Sequence, residues 1–126
     1  MLDILILSVY HVHMTSAHLK PRLFTFVELR SFKLNNLLTD DEYRKIQSAL
    51  MTNPESGPVM SGTGGFRKIR WAPEGQGKSG EVGVIYYNRS QASGRLYMAY
   101  IFPKNVSDNL SNAQKNVLKA LSDGLK

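Results

Sequence analysis

Phe66-Arg67-Lys68-Ile69-Arg70-Trp71, Val82-Gly83-Val84-Ile85-Tyr86-Tyr87 and Arg95-Leu96-Tyr97-Met98-Ala99-Tyr100-Ile101-Phe102 are three runs rich in β-branched and aromatic residues, separated by short glycine-bearing breaks. Runs of this length and composition read as strands. The breaks between them, Ala72 to Gly80 and Asn88 to Gly94, are polar and turn-forming, so the three strands join as an antiparallel meander. Outward toward the N-terminus, Gly57, Gly62, Gly64 and Gly65 mark a flexible loop. Ahead of it, Thr39-Asp40-Asp41-Glu42 has the form of a capping box, in which the Thr39 hydroxyl accepts from an early backbone N–H and Glu42 reaches back. Asp40 and Asp41 suit the positive end of a helix dipole. Tyr43, Ile46 and Leu50 then fall at helical spacing, until Asn53-Pro54 stops the helix because proline cannot continue the hydrogen-bond ladder.

Leu23 to Glu28 alternates as a first strand, and Leu29 to Leu38 reads as a short helix with Phe32 inward. Beyond the meander, Ser111-Asn112-Ala113-Gln114 is a second capping box, and Val117, Leu118, Leu121 and Leu125 supply the apolar stripe of a closing helix. The expected order is β-α-β-β-β-α. This is an α+β fold with a small antiparallel sheet and helices packed on one face.

A chain of 126 residues suits one domain and can bury a core without covalent staples. Cysteine is absent, which excludes disulfides, thiolate catalysis and cysteine-ligated zinc and is in keeping with a reducing, cytoplasmic setting. The net charge of +6 is unevenly placed: from Phe66 to Lys104 seven basic residues face only Glu74 and Glu81, whereas the rest of the chain carries nine basic against eight acidic. A local excess of this kind is the footprint of a polyanion partner, although a solvated basic surface gives the same count. No apolar run approaches the roughly 20 residues needed to cross a bilayer. Met1 to Val12 is apolar but carries Asp3, lacks a basic leader and shows no small-residue cleavage site before His11 and His13, so it does not read as a signal peptide. It reads either as an extra strand or as a stretch upstream of a start at Met14, the second being preferred because the patterned domain begins near Leu23. Residues 1–22 are therefore set apart as an N-terminal extension and 23–126 as the domain.

Several motifs resolve as decoys. Gly75-Gln76-Gly77-Lys78-Ser79 suggests a phosphate-binding P-loop, but Ala72 stands where the pattern needs glycine and a strand follows where it needs a helix. Gly62-Thr63-Gly64-Gly65 is followed by Arg67 in the third glycine slot of a dinucleotide fingerprint, with no βαβ unit around it. His11, His13 and His18 lack a further ligand at suitable spacing, so no metal and no cofactor is expected.

What remains is Arg67-Lys68-Ile69-Arg70-Trp71 with the Lys78 loop and Lys104. Alternate strand residues share a face, so Lys68 and Arg70 point together while Arg67 sides with Ile69 and Trp71. The meander can bring Lys78 and Lys104 toward the Lys68–Arg70 face. Cations crowded on one surface repel one another unless an anion arrives, and a lysine in such company is the expected proton carrier. Cleaving RNA through its own 2′-hydroxyl requires a proton acceptor, a phosphate ligand and a donor to the leaving 5′-oxygen. With no histidine in the cluster, lysine and arginine must supply these, helped by Tyr86, Tyr87 or Tyr100. Arginine suits the phosphate because its planar fork binds two oxygens. Binding of a phosphate backbone without chemistry would use the same residues.

The order and spacing of Leu50-Met51-Thr52-Asn53-Pro54, Gly57, Gly62-Thr63-Gly64-Gly65, Arg67-Lys68-Ile69-Arg70, Gly77-Lys78, Ile85-Tyr86-Tyr87 and Lys104-Asn105 with Leu110 resemble the HigB branch of the RelE/ParE toxin–antitoxin superfamily, over about residues 24–124. The resemblance implies a RelE-like fold and a ribosome-dependent endoribonuclease that cuts messenger RNA during translation. It implies as partners the ribosome, mRNA and a helix-turn-helix antitoxin, with operator DNA met only through the antitoxin complex, no membrane and no cofactor. Matched position by position, Lys68, Arg70, Lys78 and Lys104 become the catalytic candidates, and Arg67, Arg89, Arg95 and Tyr87 the further RNA contacts. Two departures stand out. Gly83 occupies the place of the arginine that often holds the scissile phosphate, and Phe102 and Val106 stand where tyrosine and glutamate are usual. Losing one oriented phosphate ligand commonly costs on the order of a hundredfold in rate. A weakened or inactive toxin-fold module that serves as antitoxin partner and co-repressor is therefore an alternative. A gyrase-poisoning toxin of the ParE type is another, ranked last because the Gly-Thr-Gly-Gly and Gly-x-Gly-Lys elements belong with HigB-like sequences.

Overall fold

The meander forms as its composition dictates. In the computed structural model, which describes residues 4–12, 22–75, 80–107 and 110–126, β3 (Arg67–Trp71) pairs antiparallel with β4 (Val82–Arg89), and β4 pairs antiparallel with β5 (Arg95–Pro103). Two earlier strands, β1 (Ile4–Val12) and β2 (Arg22–Leu29), complete a five-stranded sheet in the order β1-β2-β5-β4-β3. Residues 4–12 form a strand antiparallel to β2.

The sheet is mixed rather than antiparallel, because β2 runs parallel to β5, with Thr25 opposite Arg95 and Glu28 opposite Met98. Strands that pair through short loops announce themselves in sequence. A pairing across some 70 residues of intervening chain does not, so the expected all-antiparallel sheet is corrected here.

The helices also lie on both faces rather than one. Helix α1 (Asp40–Thr52) places Tyr43, Ile46 and Leu50 in a core with Phe24, Phe26, Val82, Val84, Tyr86, Leu96 and Met98. Helix α4 (Asn112–Leu125) places Leu118 and Leu125 with Val27, Leu29, Ile85, Tyr87, Tyr97 and Ala99, the residues of opposite parity on the same strands. Both faces of β4 are apolar, as its burial from Val82 through Tyr87 requires. Continuous rather than alternating hydrophobicity in Val82–Tyr87 was the sequence signal for two covered faces.

A bulge in β5 sets which side chains reach which face. Ile85 opposes Tyr100 but Tyr86 opposes Met98, so Ala99 is an extra residue. The Ser31 hydroxyl donates to the Ala99 carbonyl at 2.6 Å and satisfies the group that the bulge displaces from the ladder. Parity flips there: Tyr97 and Ala99 face α4, and beyond the bulge Tyr100 and Phe102 do too, while Ile101 turns to the α1 side.

Local details depart from expectation in readable ways. Thr39 caps α1 by accepting from Glu42 N–H at 3.1 Å, but the Glu42 carboxylate does not complete the box; it accepts from Glu74 N–H at 3.0 Å and pairs with Lys45 at 3.1 Å. The backbone donor and the Lys45 ammonium hold the Glu42 carboxyl below the usual carboxylate range. At α4 the box is complete, Ser111 Oγ accepting from Gln114 N–H at 3.1 Å and Gln114 Oε1 from Ser111 N–H at 2.8 Å. Val117, expected on the apolar stripe, is 51 % exposed, because the face of α4 toward the sheet is carried by Leu118, Leu125 and partly Leu121. The helix expected over 29–38 does not form: Leu29 ends β2 and residues 30–38 are turns, bends and irregular chain, with Asn35 and Asn36 at positive φ values of 47° and 64°, though Phe32 is buried as expected. A one-turn helix, α2 (Ser90–Ser93), closes the β4–β5 hairpin on a left-handed Gly94, and another, α3 (Lys104–Ser107), follows β5.

The 57–65 segment is a packed seat rather than a loose loop. Thr63 is fully buried and donates to Met60 O at 2.7 Å. Gly64, at φ +75°, lies so close to α4 that a Cβ there would strike Ser122 Oγ. Among the described residues, no helix is long and apolar enough to cross a membrane.

Candidate nucleic-acid interface

β3 sorts its side chains by parity. Ile69 and Trp71 pack against the α1 core, so Lys68 and Arg70 project on the α4 face. The ladders then lay out this face in rows. Lys68 pairs with Ile85, which pairs with Tyr100; Arg70 pairs with Gly83, which pairs with Phe102. Each row spans two strand spacings, about 10 Å, with about 7 Å between rows. One step beyond Val82–Pro103, Lys104 N–H donates to Glu81 O at 3.1 Å, extending the β4–β5 ladder to a Glu81–Lys104 pair. Their side chains meet, Lys104 Nζ lying 3.8 Å from Glu81 Oε1.

Lys68, Arg70 and Lys104 therefore gather at one end of one face, as the alternation and meander of the sequence expected. Lys78 lies outside the described residues. Between the cations, Tyr100 and Phe102 are half-buried and stacked, with ring centroids 5.2 Å apart and planes 15° from parallel. Gly83 puts no side chain into the middle of the Arg70–Gly83–Phe102 row. A basic rim beside a flat aromatic pair suits a phosphodiester with an adjoining base: guanidinium and ammonium groups for the phosphate, ring faces for stacking.

The other expected contacts fall elsewhere. Arg67 sits on the opposite parity, and its Nη1 donates to Gly57 O at 2.8 Å and Glu55 O at 3.2 Å, bracing the segment after α1. Arg89 and Arg95 face each other at the far end of the hairpin, about 20 Å along β4 from Gly83 at roughly 3.3 Å per residue. Tyr87 is only 8 % exposed, packed on Phe66 at 5.1 Å and lying under Gly65. Arg89 and Arg95 thus form a pair of their own, and Arg67 and Tyr87 are spent on scaffold contacts rather than on the Lys68–Arg70 end.

Of the three tyrosines considered as helpers, only Tyr100 faces the site. Tyr86 points to the α1 side, fully buried, donating to Pro54 O at 2.8 Å and accepting from Gly57 N–H at 3.0 Å; burial raises its phenol above the ordinary tyrosine range. A strand, β4, follows Ser79, as the rejection of a P-loop required. His13 and His18 lie outside the described residues, and among those described no cluster of three metal-ligating side chains occurs.

One residue at this end was passed over in the sequence as a mere counter-charge. Glu81 shares parity with Gly83, its side chain is 18 % exposed, and its Oε1 is buried without a hydrogen-bond partner among the described residues. The alternation Glu81-x-Gly83-x-Ile85 contained its orientation; its depth depended on α3 and could not be read. No protein-family model matches the chain.

Proposed function

We propose that this chain is a HigB-like toxin of RelE-type fold, an endoribonuclease that cleaves messenger RNA on the translating ribosome and is silenced by a helix-turn-helix antitoxin. The observation that carries the reading is the convergence of Lys68, Arg70 and Lys104 around the Tyr100–Phe102 stack on one end of one sheet face. Such a site would be a poor free-standing nuclease; the ribosome, by presenting bent message in its decoding site, would supply the alignment that in-line attack needs. The proposed setting is cytoplasmic, with operator DNA reached only through the antitoxin complex.

Expression is expected to arrest growth, with rescue by the antitoxin. Primer extension on ribosome-bound message should show discrete cuts that weaken by about a hundredfold in Arg70→Ala. Toxicity without cuts would overturn the nuclease reading, and altered plasmid supercoiling with intact message would move the protein to the gyrase-poisoning class.

A second reading, a weakened module retained for antitoxin binding and co-repression, is favoured by Gly83. The row between Arg70 and Phe102 lacks the side chain from which a second phosphate ligand would come.

A further inference from the structure

We propose that Glu81 is the general base of this site, accepting the 2′-hydroxyl proton of the cleaved nucleotide; the inference rests on the ribonuclease reading above and assigns the step to a carboxylate, which has acceptor lone pairs that an ammonium or guanidinium lacks. Arg70 and Glu81 are diagonal neighbours across β3 and β4, because Arg70 opposes Gly83 and Glu81 lies two residues before Gly83. Diagonal positions are about 7–8 Å apart, within reach of one phosphodiester from both side chains. Gly83, opposite Arg70 and itself buried, has no side chain to separate the two groups.

The carboxylate is suited to the task by what surrounds it. Its side chain keeps 18 % exposure, and its buried Oε1 meets no hydrogen-bond donor among the described residues, leaving a carboxylate oxygen without the partner such atoms ordinarily have. Lys104 Nζ stands at 3.8 Å, too long for a hydrogen bond and close enough to keep the carboxylate oriented. Glu42, a buried carboxylate, is by contrast committed to Glu74 N–H at 3.0 Å and Lys45 at 3.1 Å, and ties the loop after β3 to α1.

The step balances within the site. Glu81 takes the 2′-hydroxyl proton, the 2′-oxygen forms a bond to phosphorus while Arg70 holds the non-bridging oxygens, and the bond from phosphorus to the 5′-oxygen breaks. Lys104 gives that oxygen a proton. The products are a 2′,3′-cyclic phosphate and a 5′-hydroxyl. Protonated Glu81 then returns its proton to the neutral Lys104 amine beside it, and both residues are restored without any co-reactant.

The test is single-turnover cleavage on ribosomes programmed with a message whose scissile link carries either the normal 5′-oxygen or a 5′-bridging sulfur. Sulfur leaves without needing a proton, so it erases defects in the donor and preserves defects in the base. Glu81→Gln is expected to slow both substrates by about a hundredfold or more, and Glu81→Asp, which keeps a shorter carboxylate, to recover part of the rate. If Glu81→Gln cuts as fast as wild type, or is slow only on the oxygen link, Glu81 serves merely to position Lys104 and the inference falls while the ribonuclease reading stands. If the wild-type protein cuts neither message, the ribonuclease reading falls and takes this inference with it.

Discussion

Tyr86→Phe tests whether this tyrosine belongs to the scaffold or to the chemistry. Its hydroxyl sits fully buried on the α1 side, donating to Pro54 O at 2.8 Å and accepting from Gly57 N–H at 3.0 Å. Removing one oxygen leaves the ring packing intact and strands two backbone groups. Gly57 is buried, and its own surroundings are tight: a Cβ there would lie 2.7 Å from Ile69 Cγ2 and 2.8 Å from Lys68 O. An orphaned buried N–H costs about 1–3 kcal/mol, and the half-buried Pro54 carbonyl adds at the low end of that range, for roughly 2–3 kcal/mol together. At about 3–5 °C per kcal/mol for a chain of this size, the melting midpoint should fall by roughly 10 °C.

The same geometry fixes a pH signature. Burial raises the Tyr86 phenol, so the folded state favours the neutral form; the stability it contributes is complete below the ordinary tyrosine range and is lost as pH climbs through it. Wild type should therefore destabilise above about pH 10 more steeply than Tyr86→Phe. Denaturant melts of both proteins from pH 7 to 11 measure this directly. A loss under about 0.5 kcal/mol at neutral pH, or parallel alkaline limbs, would show that the hydroxyl is solvated and refute the reasoning.

Gly64→Ala should destabilise by more than the roughly 1 kcal/mol of an ordinary backbone penalty, because the new methyl group both opposes a φ of +75° and strikes Ser122 on α4; a thermal melt within 2–3 °C of wild type would show that the helix end yields. Glu42→Gln should lower stability at neutral pH by loosening the contact of Glu74 with α1. Because the folded carboxyl is held below its ordinary range, that deficit is present at neutral pH and closes as pH falls through the folded value, which urea melts between pH 7 and 3 would reveal.

How far the molecule could be read in advance depended on the range of the interactions. The meander, α1 and the cap of α4 rest on contacts within a few residues, and their signals are all present in Thr39, Pro54, Ser111, Gln114 and the strand runs. The parallel seat of β2 beside β5 depends on packing between Phe26 and Leu96 across most of the chain, and no local pattern carries it. The site was legible in its charges and in the alternation that separates Lys68 and Arg70 from Arg67. It was illegible where a bulge intervenes: strict alternation from Tyr97 would have put Tyr100 and Phe102 on the α1 side, and only the extra residue at Ala99 brings them beside Arg70. Tyr87, taken as an RNA contact, is consumed by α4, whose docking on the second face was not foreseen. The glycines at 62, 64 and 65 were read as freedom of the chain, whereas they answer to close approach and positive φ.

Gly83→Arg separates two explanations of the bare position. If Gly83 is simply a lost phosphate ligand, restoring arginine should raise the rate toward the hundredfold typical of one oriented charge. The register argues for a smaller gain. Position 83 lies between Arg70 and Phe102, with Glu81 two residues away on the same face, so a new guanidinium can reach the Glu81 carboxylate as readily as a phosphate. Pairing would strengthen RNA binding while occupying the lone pair needed for the 2′-hydroxyl proton. The expected outcome is a lower KM with kcat raised less than about tenfold, and a coupling of about 0.5–3 kcal/mol between Gly83→Arg and Glu81→Gln in a double-mutant cycle on kcat/KM. Additive effects would mean that the two positions do not share a charge field, and the account of Glu81 and Gly83 as one linked departure would then be wrong. A full hundredfold rise in kcat from Gly83→Arg alone would instead favour the weakened-module reading, in which the sheet face lost a ligand and gained nothing in exchange.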